Sequence, residues 1–355
     1  MTTPPDGLRP PAVSSPLTHR QERRRWILGT LAVLAVVVVG LATLLVTDSD
    51  PQSASPSTAA APPPAGPPVD LTAIASAEDM GPVRFITDDA TCTDWASINS
   101  TLAATQRNGW DRRNADLPAD RWTPQQRDQH RAVAAAMLVA ADDTVALAKA
   151  TPHRVMRELY EQAIAYWRAY ADAVPRYLPA DNKLATVGGS AAGAIVSICD
   201  SIDFGAASGR SPIIVPGSPP APLPPVGDPA RPERFITAPS PFCQEWISMV
   251  SRFEDEIRPW REQADPTVPA VGWSPQQRTL FNDVIPAMGR NADQAQLLGL
   301  VSGNVVAADF AALSAQYRRA YLDALATYGP SDAYLDAAAS RLLAVVDQAC
   351  RAAAT

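Results

Sequence analysis

The sequence predicts an all-α protein: an N-terminal single transmembrane helix, then two tandem duplicated up-down helical bundles. Each bundle is expected to hold about four helices and to be closed by one disulfide. Three observations predict this. Trp26 to Val46 is an uncharged run of 21 residues. The rest of the chain repeats itself at an offset of 151 residues, the distance from Cys92 to Cys243 and from Cys199 to Cys350. Inside each repeat, aromatic and apolar residues recur at helical spacing, whereas alternating Val/Ile/Thr strand patterns are scarce.

Composition narrows the function classes. The 355 residues carry 37 Asp+Glu against 30 Lys+Arg, a net charge of -7. A duplex binder needs a basic face to replace condensed counterions, so nucleic acid is not an expected partner. Apolar content of 46% is too high for a disordered chain. Arg outnumbers Lys 28 to 2, the bias of a GC-rich bacterial genome of the actinobacterial kind.

Residues 1–25 form a basic tail with five Arg against Asp6 and Glu22, a net +3, which leaves -7 - 3 = -10 for the rest. The 26–47 segment reads as a signal-anchor helix, because ~1.5 Å per residue carries 21 residues across a hydrocarbon core of roughly 30 Å. A cleaved signal peptide usually has a shorter apolar region followed closely by a small-residue site. Arg20, Arg23, Arg24 and Arg25 precede the run, and Asp48 and Asp50 follow it. Positive flanks stay inside, so the expected location is the plasma (inner) membrane, single-pass, with a cytoplasmic N-terminus and an extracytoplasmic C-terminal region.

Residues 48–70 are rich in Pro, Ser and Ala and read as an extended stalk. Residues 71–204 form the first bundle, 205–232 a Pro-rich linker, and 233–355 the second bundle. The linker is expected to let the bundles orient separately or close on one partner. From Cys92 to Cys199, 30 of 108 positions are identical at the 151 offset. Trp122-Thr-Pro-Gln-Gln-Arg127 meets Trp273-Ser-Pro-Gln-Gln-Arg278, and Arg84-Phe-Ile-Thr87 meets Arg234-Phe-Ile-Thr237 at an offset of 150. One long offset means two related domains, not a solenoid.

The expected helices are about 91–107, 124–149, 153–177 and 181–202, then 242–258, 275–300, 304–328 and 331–352. Thr123-Pro124 and Ser274-Pro275 place a hydroxyl N-cap before a proline at the first helical position. Pro286 should kink or split its helix. Gly188, Gly189 and Gly193 either weaken their helix or let another approach closely. In an up-down-up-down bundle, the start of helix one and the end of helix four share an end. Cys92 and Cys199, and Cys243 and Cys350, sit at those two places, which makes these the natural disulfides of an oxidising compartment. Each would contribute roughly 4–5 kcal/mol in the chain-entropy model.

Candidate sites are few. Two outer histidines, His130 and His153, and no closely spaced cysteine pair give no metal site. Gly188-Gly-Ser-Ala-Ala192 faintly resembles a nucleophile elbow but falls in a helix. Asp142-Asp143 and Glu254-Asp255-Glu256 read as solvated faces. No catalytic residues, metal or cofactor are expected. Candidate binding residues are Trp122, Arg127, Trp273 and Arg278, because Trp and Arg dominate binding hot spots; the plainer reading is a Trp stapled before an N-cap. Tyr166, Tyr170, Tyr317 and Tyr321 could line a ligand site, although such stripes more often build core. Arg168/Asp172 and Arg319/Asp323 read as i,i+4 surface pairs.

The leading expectation is a non-enzymatic interaction or scaffold module of a bacterial cell envelope, held by Trp26–Val46 and meeting an envelope protein partner. The alternative is a binding or carrier module for an apolar envelope ligand such as a lipid.

Overall fold

Eight long helices carry the structure, a computed structural model that describes residues 71–211, 214, 223 and 226–354. The expected basic tail, transmembrane helix and stalk lie outside the described residues. Helix α1 runs Cys92–Gln106, α2 Pro124–Ala150, α3 Arg154–Ala173 and α4 Asn182–Asp203. Then come α5 Pro241–Gln263, α6 Pro275–Val301, α7 Val305–Ala324 and α8 Ala333–Ala353. No strand occurs among the described residues.

Local sequence explains the ends. The Thr123 hydroxyl accepts from the Gln126 N–H, and the Gln126 side chain accepts from the Thr123 N–H, closing a capping box at α2. Ser274 caps α6 through the Gln277 N–H. After α1, Gly109 adopts φ +104°, a left-handed conformation that suits glycine. Helix α3 stops at Ala173 and α7 at Ala324, both earlier than expected, each passing into a 3-10 turn, Val174–Arg176 and Leu325–Thr327.

Pro286 does not split its helix, and the first helix of the second half runs on beyond its expected end at 258. Helix α6 is continuous through Pro286, and α5 continues past Pro259 to Gln263. A proline removes one backbone donor and leaves the neighbouring bonds of the helix in place. The expected linker also begins with structure, a short helix at Ala206–Arg210, from which Arg210 pairs with Asp332 at 2.9 Å.

Both disulfides are present: Cys92–Cys199 and Cys243–Cys350, with Cα–Cα distances of 5.5 and 5.1 Å. Each ties the start of one helix to the end of another, α1 to α4 and α5 to α8.

The two halves do not orient separately. Their buried side chains form one continuous core. Helices α4 and α8 pack along their length and run antiparallel: Lys183 lies near Asp347, Gly193 against Arg341, and Phe204 stacks on Tyr334 at 5.0 Å. The glycines of α4 let neighbours approach and do not interrupt the helix. A Cβ at Gly188 would sit 2.6 Å from the Trp167 indole. Pro179–Asp203 is long and apolar enough to cross a membrane, and 67% of its most apolar window is buried inside this unit.

The segments ahead of α1 and α5 cross between halves. Tyr317 of α7 donates to the Ile86 carbonyl, and Tyr166 of α3 donates to the Ile236 carbonyl. Gln316 donates to Val83 and Gln162 to Glu233. Phe85 packs on Tyr317 at 4.4 Å, and Phe235 meets Tyr166 edge-on at 6.5 Å. The Arg-Phe-Ile-Thr segment of each half is therefore bound by the third helix of the other.

Candidate functional site

Helices α5 and α6 leave a surface groove of about 380 Å³ between them. Gln244, Glu245, Ser248, Met249 and Arg252 line it from α5, and Gln294, Leu297 and Leu298 from α6. Its apolar rim extends beyond the groove. Leu297, Leu300 and Val301, on the last turns of α6, are 60, 51 and 67% exposed. Single exposed leucines are ordinary; these three lie at i, i+3 and i+4, on one face of the helix. The corresponding first-half positions hold Ala146, Lys149 and Ala150, short or charged side chains. Sequence reading overlooked this patch. The signal was available in the duplicate comparison, as positions where one half is apolar and the other is not.

The tyrosines singled out from the sequence are core. Tyr166, Tyr170, Tyr317 and Tyr321 are at most 1% exposed. The Tyr170 hydroxyl accepts from the Trp110 indole and bonds His130 Nδ1 at 2.9 Å. Burial pushes Tyr166 and Tyr170 up to about 12, so their hydroxyls stay protonated donors. Burial, with the Arg113 charge nearby, pushes His130 down to about 4, leaving a neutral imidazole.

Trp122 and Trp273 are also buried, each giving its indole N–H to a carbonyl five residues back, Leu117 and Val268. Trp122 stacks on His130 at 3.8 Å and Trp273 on Phe281 at 4.2 Å. These contacts reach two turns into the helix, deeper than a staple to the first turn. Arg127 and Arg278 remain exposed, whereas the tryptophans are buried. The expected i,i+4 pairs are replaced: Arg168 reaches Asp142 on α2 at 2.7 Å, and Arg319 reaches Asp293 on α6 at 2.8 Å. Each arginine extends sideways to the neighbouring helix in place of along its own.

A second cluster sits between the halves. Arg154, Arg157, Glu158 and Glu161 of α3, with Ser76 and Asp79, line a cavity of about 80 Å³. Arg154 Nε lies 2.6 Å from Asp309 of α7. No group of three or more His, Cys, Asp or Glu side chains suited to a metal ion occurs among the described residues.

Comparison with known proteins adds two findings. The family described as mycobacterial ESX-1 associated protein matches residues 74–354. An uncharacterized protein of Mycolicibacterium smegmatis (strain MKD8) is 45% identical over 331 residues, covering 93% of this chain and 86% of that protein. No solved structure matches the chain.

Proposed function

The chain belongs to the family of mycobacterial ESX-1 associated proteins, and from that premise we propose that it is a non-enzymatic docking module for a protein of that secretion system. In this reading residues 26–46 anchor it in the plasma membrane with the N-terminus in the cytoplasm. A tandem duplication of a four-helix bundle stands on the outer side. The flanking arginines support the orientation, since positive residues are retained inside. The two disulfides support an oxidising compartment.

The observation that carries the reading is the groove between α5 and α6 with its exposed rim, Leu297, Leu300 and Val301. Its lining mixes apolar Met249, Leu297 and Leu298 with Gln244, Glu245, Arg252 and Gln294, the combination of apolar and polar side chains that protein interfaces use. The filled tyrosine stripes give no support to a lipid carrier.

The test is a photo-cross-linker placed at position 300 in cells, with position 139, an exposed apolar site on α2, as the control. The expected result is an adduct with a component of the secretion system from position 300 and none from 139. Equal labelling from both positions, or none from 300, overturns the proposal.

A further inference from the structure

The groove between α5 and α6 is lined at helical spacing from both sides. Glu245, Ser248, Met249 and Arg252 stand at i, i+3, i+4 and i+7 of α5, and Gln294, Leu297 and Leu298 at i, i+3 and i+4 of α6. Exposed Val301 continues the α6 stripe at i+7. Each stripe is two turns long, roughly 10 Å at ~1.5 Å per residue. The two helices run antiparallel: Trp260 meets Phe281 edge-on, and Asn291 donates to the Met249 sulfur at 3.1 Å. Two neighbouring helical stripes of this length form the seat that a third helix fills. An extended peptide would instead need a sheet edge for its main-chain bonds, and no strand occurs among the described residues.

The charges at the two ends of the α5 stripe are left open. Farther along α5, Asp255 pairs with Arg258, Glu254 with Arg261 and Glu256 with Arg290. Glu245 and Arg252 are exposed, line the groove and have no ion pair among the described residues. They give the groove one negative and one positive end. The first half does not repeat this arrangement: Arg252, Gln294 and Leu297 correspond to Thr101, Asp143 and Ala146.

We propose that the groove takes an amphipathic helix of the partner, with aliphatic side chains at i, i+3 or i+4, and i+7, a basic residue facing Glu245 and an acidic residue facing Arg252. The proposal rests on the docking role of this groove and adds the chemistry of what docks. The aliphatic stripe meets Met249, Leu297 and Leu298. The end charges choose among amphipathic helices, because a like charge at either end is repelled and an opposite one is paired. Both ends are exposed, so the pairs govern discrimination and salt dependence more than affinity.

The experiment uses the full chain in detergent micelles with a photo-cross-linker at position 300. The probes are synthetic peptides that share one leucine stripe. The first ends in one base and one acid, the second in two bases, the third in two acids, and the fourth is the first with a central proline. Wild type should label the base–acid helix at least about fivefold more than either like-charged helix at low salt. The difference should shrink in high salt. The proline peptide should lose labelling, because an interior proline breaks the helix. Arg252→Glu makes both ends acidic and should transfer the preference to the two-base helix, and Glu245→Arg should transfer it to the two-acid helix. Uptake of each peptide by the micelle is the same for every variant, so it cannot produce that reversal.

Equal or no labelling by the three helices, an order unchanged in both variants, or full labelling by the proline peptide overturns the proposal. An in-cell adduct from position 300 without any peptide preference removes the helix and leaves the docking role. The predicted peptide order without the in-cell adduct supports the helix and removes the secretion-system partner.

Discussion

Arginines with similar ion pairs have very different worth in this molecule, because burial differs. Arg154 is 3% exposed and Asp309 1%, so removing the guanidinium strands a charge in the core. Arg154→Ala should cost about 3–5 kcal/mol of unfolding free energy. Arg319 faces Asp293, whose side chain is 76% exposed, and Arg319→Ala should cost less than about 1 kcal/mol. Denaturant melts of both variants check the contrast. The crossed tyrosines are neutral and buried: Tyr317→Phe leaves the Ile86 carbonyl without its donor and should cost about 1 kcal/mol. His130 makes a pH prediction. Its folded value of about 4 lies below the unfolded 6.5, so its contribution is present above 6.5 and is lost as pH falls toward 4. His130→Phe, the residue found at position 281, should remove that acid-side loss in a pH series of melts.

At the level of helices, small residues decide how closely the layers meet. Gly188→Ala gains helix propensity but drives a methyl into the Trp167 indole, itself 1% exposed and stacked on Trp95. Overpacking of this kind costs about 1–3 kcal/mol, more than the propensity returns, so the thermal midpoint should fall. Gly189→Ala meets nothing within 4 Å and serves as the control. The helices themselves were readable from local signals: the Thr123-Pro124 and Ser274-Pro275 caps, and cysteines placed where helix ends converge. The crossed segments were not. Arg84-Phe-Ile-Thr87 has no helical or strand period, and its partners, Gln316 and Tyr317, lie more than 200 positions away. A repeated motif signals that a segment matters, but not which half binds it. Pro286 misled for a different reason. Its cost, a lost hydrogen bond and a ring clash of about 3 kcal/mol, is offset by burial of Phe281, Val284, Ala287 and Met288 on the same helix.

Across residues 71–354, the repeated sequence builds one body with unequal faces. The shared core, the crossed segments and the α4–α8 seam hold the two halves together, so either half alone should expose its side of that core and unfold or aggregate. Divergence then falls where the halves need not match. Arg154, which holds Asp309, corresponds to Val305, and Leu297, Leu300 and Val301 replace Ala146, Lys149 and Ala150. Under the proposed docking role, a partner's apolar side chains would be buried in the groove beside those leucines, at about 25 cal/mol per Å². The most direct test of a docking role is co-isolation of secretion-system components with the full chain carrying Leu297→Asp and Leu300→Asp, compared with wild type at equal disulfide content and helicity. The account predicts that the association falls at least about tenfold, since two buried charges cost well over the ~1.4 kcal/mol that tenfold requires. Undiminished association in that variant would contradict it.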